Sequence, residues 1–138
     1  MAAKDIYHQH VRRALEKDGW TITDDPLSLP WLEPPEQVDL GAEGVLGAEK
    51  VQAKIAVTLN DFIGASPMAD LEKALGQFAL CRTVLMKQEP DRHLYLALRE
   101  DVFYSLIEPF DATNFCHDLK LRLLVFSDLR EEVVQWIS

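Results

Sequence analysis

The chain has 138 residues, 48% apolar and 27% charged, the balance of one ordinary globular domain spanning residues 1–138, which excludes the disordered and fibrous classes. Its formal charge is -9, from 23 acidic against 14 basic side chains, so DNA phosphates repel it unless basic residues cluster or a partner supplies them. No apolar run reaches the roughly 20 residues that cross a bilayer, and the start, MAAKDIYHQH, lacks the apolar centre of a signal peptide, so the expected location is the cytoplasm, with no membrane partner.

The first element is a helix over residues 4–18, where Tyr7, Val11, Ala14 and Leu15 recur at helical spacing and Gly19 supplies the left-handed turn that ends it. Trp20-Thr21-Ile22-Thr23 alternates as a strand does. Residues 24–37, DDPLSLPWLEPPEQ, hold four prolines and predict a loop or a ragged edge hairpin, because proline lacks the N–H that a central strand needs. Val38-Asp39-Leu40 reads as a short strand closed by Gly41, with residues 45–50 extending a neighbouring strand or turn. Residues 54–60, KIAVTLN, form a strand that begins apolar and ends polar, and Asp61 to Gly64 leave it.

Ser66 and Pro67 then open a helix, with Asp70 and Glu72 at the positive end of its dipole. Met68, Leu71, Leu75, Phe78, Arg82 and Leu85 follow at three- and four-residue steps until Gln88-Glu89-Pro90-Asp91 stops it. His93 to Leu98 predicts a strand, and residues 99–107 a short helix with Val102, Phe103, Leu106 and Ile107 on its apolar side. Leu121 to Phe126 is a central strand that turns at Ser127-Asp128 and pairs with Val133 to Ile137. Cys81 and Cys116 have no paired spacing and read as reduced thiols, Cys81 buried, rather than as a zinc site. The fold class is α/β: a mixed central sheet flanked by helices, with an α-β-β-β-α-β core, a small helix and a C-terminal hairpin. That core order is the order of the restriction-endonuclease-like fold.

Local segments add to the order. AKDIYH, EKDGWTITDDPLSL, VDLGAE, KIAV, ALGQ, EPDRHLYLAL, LRLLVF and VVQWI, running from residue 3 to residue 137, resemble the fdxN-element excision controlling factor family, the XisH-like proteins. The resemblance implies a restriction-endonuclease-like domain, a role in programmed DNA excision in cyanobacteria, and a small XisI-like companion protein. Nucleases of that fold carry D…(D/E)xK: two carboxylates from adjacent strands hold Mg²⁺, and a lysine two residues past the second acid shares its sheet face and helps with the water.

Asp39 matches the first acid. Where the family shows V-E-x-K, this chain has Val57-Thr58-Leu59-Asn60, so an anion and a cation are both replaced by neutral side chains. Alternation places Thr58 and Asn60 on one face with Asp39 nearby. Gln77 fits the glutamine of the Q-x-x-x-Y pattern found in a related branch, with Cys81 at the tyrosine position, and the proline-rich stretch Pro30 to Glu36 lacks the family's basic residues. The resemblance therefore implies no intact catalytic set, only vestigial positions at Asp39, Glu49, Thr58, Asn60 and Gln77. No metal or other cofactor is expected; Asp39 and Glu49 are the remaining candidates, with Mg²⁺ relevant only if they form a migrated site.

Plainer readings stand beside these. Asp39 can be a strand-end residue bonded to its own turn, Glu49 a surface carboxylate, and Asp61 a turn cap that faces away from the site. His8 and Lys4 sit one turn apart on the first helix and either approach a site or, the simpler reading, lie on an exposed face; His8, His10, His93 and His117 have no ligand spacing. Arg92 and Lys50 read as solvated charges. Trp31 and Leu32 either fold back or cover a partner, and Trp136 is core. Three functional readings remain: an excision controlling factor with a decayed nuclease motif that regulates through protein binding, as a homodimer or with its companion; a Mg²⁺-dependent endonuclease using Asp39 and Glu49; and direct DNA binding without catalysis, which the net charge disfavours.

Overall fold

Ile55, Val57 and Leu59 pack into one apolar layer while Ala56 packs into another, so the strand that carries them is covered on both faces. The structure, a computed structural model, describes residues 3–29, 36–46 and 51–138. Trp31, Leu32, Glu49 and Lys50 lie outside the described residues.

Helix α1 (Ala3–Lys17) leads through Gly19, at φ 93, into β1 (Thr21–Asp24). β2 (Leu27–Leu29) and β3 (Glu36–Val38) pair antiparallel as the edge hairpin that the prolines suggest. β4 (Leu40–Leu46) and β5 (Val51–Leu59) follow, then α2 (Pro67–Gln88) and β6 (Arg92–Arg99). α3 (Glu100–Val102) continues as a π-helical turn, Phe103–Ile107, and a 3-10 turn, Glu108–Phe110. α4 (Ala112–Leu119), β7 (Leu123–Ser127) and β8 (Glu132–Ile137) complete the order.

The sheet runs β1-β4-β5-β6-β7-β8. β1, β4 and β5 form an antiparallel meander, β5, β6 and β7 run parallel, and β8 turns back antiparallel on β7. α2 is the crossover between β5 and β6, as parallel neighbours require. Its start follows the sequence: the Ser66 side chain accepts the Ala69 N–H at 3.2 Å, and Asp70 accepts the Gly64 N–H at 2.9 Å. On one face of the sheet Val11 and Leu15 of α1 pack with Trp20 against Leu40, Ile55, Val57, Tyr95 and Phe126. On the other, Leu71, Phe78, Cys81 and Leu85 of α2 pack against Ala56, Leu94, Leu96 and Leu123.

Four expectations about the fold change. Gly41 does not close a strand: β4 runs through it, paired with Ala56, and a Cβ there would stand 2.9 Å from Asp24 Oδ2 and 3.0 Å from Arg92 Nη1, so a larger residue would displace both side chains. Arg92 is not a solvated charge; its side chain is buried at the start of β6, donating to Ile55 O at 2.9 Å and pairing with Glu89. Met68 is 45% exposed, because the inward stripe of α2 begins only at Leu71. α4 has no counterpart among the elements expected from the sequence: eight residues span too few turns for a periodic signal, and Cys116 is its one fully buried side chain.

Candidate functional site

β4 and β5 are antiparallel, so the start of β4 lies beside the end of β5, and Asp39, Thr58 and Asn60 lie at the same end of the sheet. The chain bends at Asp39: Val38 belongs to the α2-side layer and Leu40 to the α1-side layer. Asp39 is buried at that bend. Its Oδ2 accepts the backbone N–H of Leu59 at 2.7 Å, which ties the entry of one strand to the exit of the next. Its Oδ1 lies 3.9 Å from His8 Nδ1.

His8 carries the site onto α1. Its Nε2 bonds Asp25 Oδ1 at 2.6 Å, and Arg12, one helical turn further on, donates to the other oxygen of Asp25. The result is a line of ionisable side chains, Asp39, His8, Asp25 and Arg12, that joins α1, the end of β1 and the start of β4. The His8 pKa is raised, first by its bond to Asp39, against the opposing effect of burial, and further by Asp25. Proton gain by this imidazole is therefore favoured. His8 is not on an exposed helix face; its side chain is 16% exposed and engaged on both nitrogens.

Thr58 is 3% exposed and, by strand alternation, shares the α2-side face with Ala56, whereas Asp39 is engaged with α1. Asn60 turns back on its own exit loop, its Oδ1 accepting the Phe62 N–H at 3.0 Å, with Phe62 buried at φ 53. The capping role that the sequence suggests for Asp61 thus belongs to Asn60. Gln77 is half-buried on α2, and Cys81 one turn later is buried in the α2-side core. A further pair completes this end of the sheet: Arg99, the last residue of β6, stacks its guanidinium 4.6 Å from the Tyr7 ring centroid and also pairs with Asp101 at 3.3 Å.

The divalent ion of the resembled nucleases does not fit these donors. Asp39 already accepts a hydrogen bond, a proton-accepting imidazole stands beside it, and the neighbouring positions offer a hydroxyl and an amide where Mg²⁺ wants oxygen anions. Among the described residues no group of three or more His, Cys, Asp or Glu side chains is arranged to hold a metal. Arg12 and Asp25 are members of the site that the sequence does not bring forward; for His8 the approach to a site holds and the simpler reading, an exposed face, does not. The four-residue step from His8 to Arg12 is an available signal, but Asp25 reaches them only through the turn between β1 and β2.

The family model described as XisH protein matches residues 1–134. The solved structure of an fdxN element excision controlling factor protein from Anabaena variabilis is 32% identical, with 97% of this chain and 99% of that chain covered and a TM-score of 0.82. An XisH family protein from Nostoc punctiforme PCC 73102 is 30% identical, with 96% and 99% covered and a TM-score of 0.82. No curated protein matches the chain.

Proposed function

Because the chain belongs to the XisH protein family, we propose that it is an excision controlling factor whose restriction-endonuclease-like core no longer holds a metal, and that it regulates by binding rather than by cutting. One observation carries this reading. Asp39, the acid matched to the first motif position, accepts the Leu59 N–H and adjoins His8, while Thr58 and Asn60 stand at the positions of the second acid and the lysine. A single engaged carboxylate beside His8, with a hydroxyl and an amide at the other two motif positions, grips a divalent ion too weakly to activate water on a phosphodiester. The order of α1, the β1–β4–β5 meander, the α2 crossover and β6 supports the restriction-endonuclease-like assignment.

Regulation then runs through partners: a second copy of the chain, or a XisI-like companion. The outer strands β1 and β8 offer backbone edges for such pairing. With a net charge of -9, contact with DNA falls to the partner.

Two measurements test the reading. The chain is incubated with duplex and single-stranded DNA in Mg²⁺ and in Mn²⁺; no cleavage is expected, and cleavage that disappears with Asp39→Ala would overturn the decayed site. The chain is also co-expressed with a XisI-like protein and sized by gel filtration. A dimer or a joint peak is expected, and a lone monomer would overturn regulation by binding.

A further inference from the structure

The end of the sheet opposite Asp39 carries a different chemistry. Where β6 and β7 begin, α2 and α4 flank an open cavity of about 630 Å³ whose lining includes Arg82, Arg92, Lys120, Arg122 and Ser138 and no acidic side chain. In a chain of net charge -9 this calls for an explanation. Among the described residues Arg12, Arg13, Arg99 and Arg130 each sit in an ion pair away from this cavity, and Arg92, which also lines it, is paired with Glu89; Arg82 and Arg122 line it with no ion pair. Arg82 is anchored by one bond, Nη1 to the Lys120 carbonyl at 3.2 Å, while its Nε is buried with no hydrogen-bond partner among the described residues. Leu85, Met86 and Leu94 supply an apolar wall.

We propose that this cavity binds a phosphomonoester carried on an apolar or aromatic body. The size lies inside the range of roughly 300–1,000 Å³ typical of small-molecule sites. The charge selects the head group: a phosphomonoester carries about -1.5 to -2 at neutral pH, against -1 for a carboxylate, and so is the better match for two guanidiniums and an ammonium. Guanidinium forks also suit the tetrahedral oxygens of phosphate. The apolar wall takes the remainder of the molecule. This site is separate from the Asp39 end, and its fate does not depend on whether the chain cuts DNA.

The test titrates the full chain with phenyl phosphate, phenylacetate and inorganic phosphate, read by backbone amide shifts in α2, α4 and the first residues of β6 and β7. Phenyl phosphate is expected to saturate, at least about tenfold tighter than either of the other two. Arg122→Gln and Arg82→Gln should each weaken it by about tenfold, and Arg130→Gln should not change it. Absence of saturable shifts overturns the proposal, and so does equal affinity for phenylacetate, equal affinity for inorganic phosphate, or unchanged affinity in folded Arg122→Gln. Should Arg82→Gln fail to fold through loss of the Lys120 bond, Arg122→Gln decides alone, since its side chain makes no hydrogen bond or ion pair among the described residues.

Discussion

One carboxylate oxygen of Asp39 accepts the backbone N–H of Leu59 at 2.7 Å, so the acid matched to a metal-binding position is a structural clasp between β4 and β5. Its removal leaves a buried donor unpaired. Asp39→Ala should lower stability by ~1–3 kcal/mol, and Asp39→Asn, which keeps an acceptor, by less. Urea denaturation of the three proteins measures this. An Asp39→Ala protein as stable as the parent would remove the clasp.

The clasp is linked to pH through His8. Its folded pKa is raised above 6.5, first by the bond to Asp39, with burial opposing and Asp25 adding. A group with a raised folded pKa stabilises fully below its unfolded value and loses that contribution as pH rises through the folded value. His8→Gln should therefore cost more stability at about pH 5 than at about pH 9. Paired denaturation curves at the two values decide it, and equal losses would mean that the imidazole titrates no differently in the fold.

Two glycines make opposite forecasts. A Cβ on Gly44 would stand 2.7 Å from a ring carbon of Trp20, a buried ring whose centroid lies 5.5 Å from that of Trp136. Such a ring cannot swing away, and Gly44→Ala should destabilise by ~1–3 kcal/mol. Gly76, at an exposed position of α2, has nothing within 4 Å of the point where a Cβ would stand, and Gly76→Ala should stabilise by ~0.5–1 kcal/mol through helix propensity. Melting temperatures moving in the same direction for both variants would contradict this packing.

Much of this architecture is legible in the sequence. Helix α2 declares itself through Ser66, Pro67 and a long apolar stripe, and the apolar runs of β5, β6 and β7 mark the sheet centre, because both signals are local and repeated. What escapes is short or non-local. α4 has too few turns to show a period. Asp25 and His8 are 17 positions apart and meet only because the turn after β1 comes back to α1. The site is half legible for the same reason: Thr58 and Asn60, at and just past the end of β5, can be placed by alternation, whereas the bend that turns Asp39 away from them, toward Leu59 and His8, depends on the tertiary fold.

Cys116 provides a probe of the α4 packing. It is 1% exposed, and burial pushes its thiol up to about 11 from 9.0. The thiolate is the reactive form, so at mildly alkaline pH the native chain should alkylate at this position about a hundredfold more slowly than an exposed thiol. Iodoacetamide labelling followed by mass spectrometry, with and without urea, measures it. Labelling at the exposed-thiol rate would show the thiol reached, either through the cavity it lines or by detachment of α4 from the core.

Lys120 joins stability to the proposed ligand site. It ends α4 in the left-handed region, φ 52 and ψ 40, with its N–H bonded to the carbonyls of Cys116 and His117. A side chain there costs about 1 kcal/mol that glycine avoids, because the Cβ crowds the following carbonyl. Lys120→Gly should therefore raise the melting temperature. The same change takes a cation from the cavity beside Arg82 and Arg122, so phenyl phosphate should bind less tightly to the more stable protein. A variant that gains stability and keeps full affinity would restrict the anion site to the two arginines; one that loses stability would show that the lysine stem packs against the cavity wall.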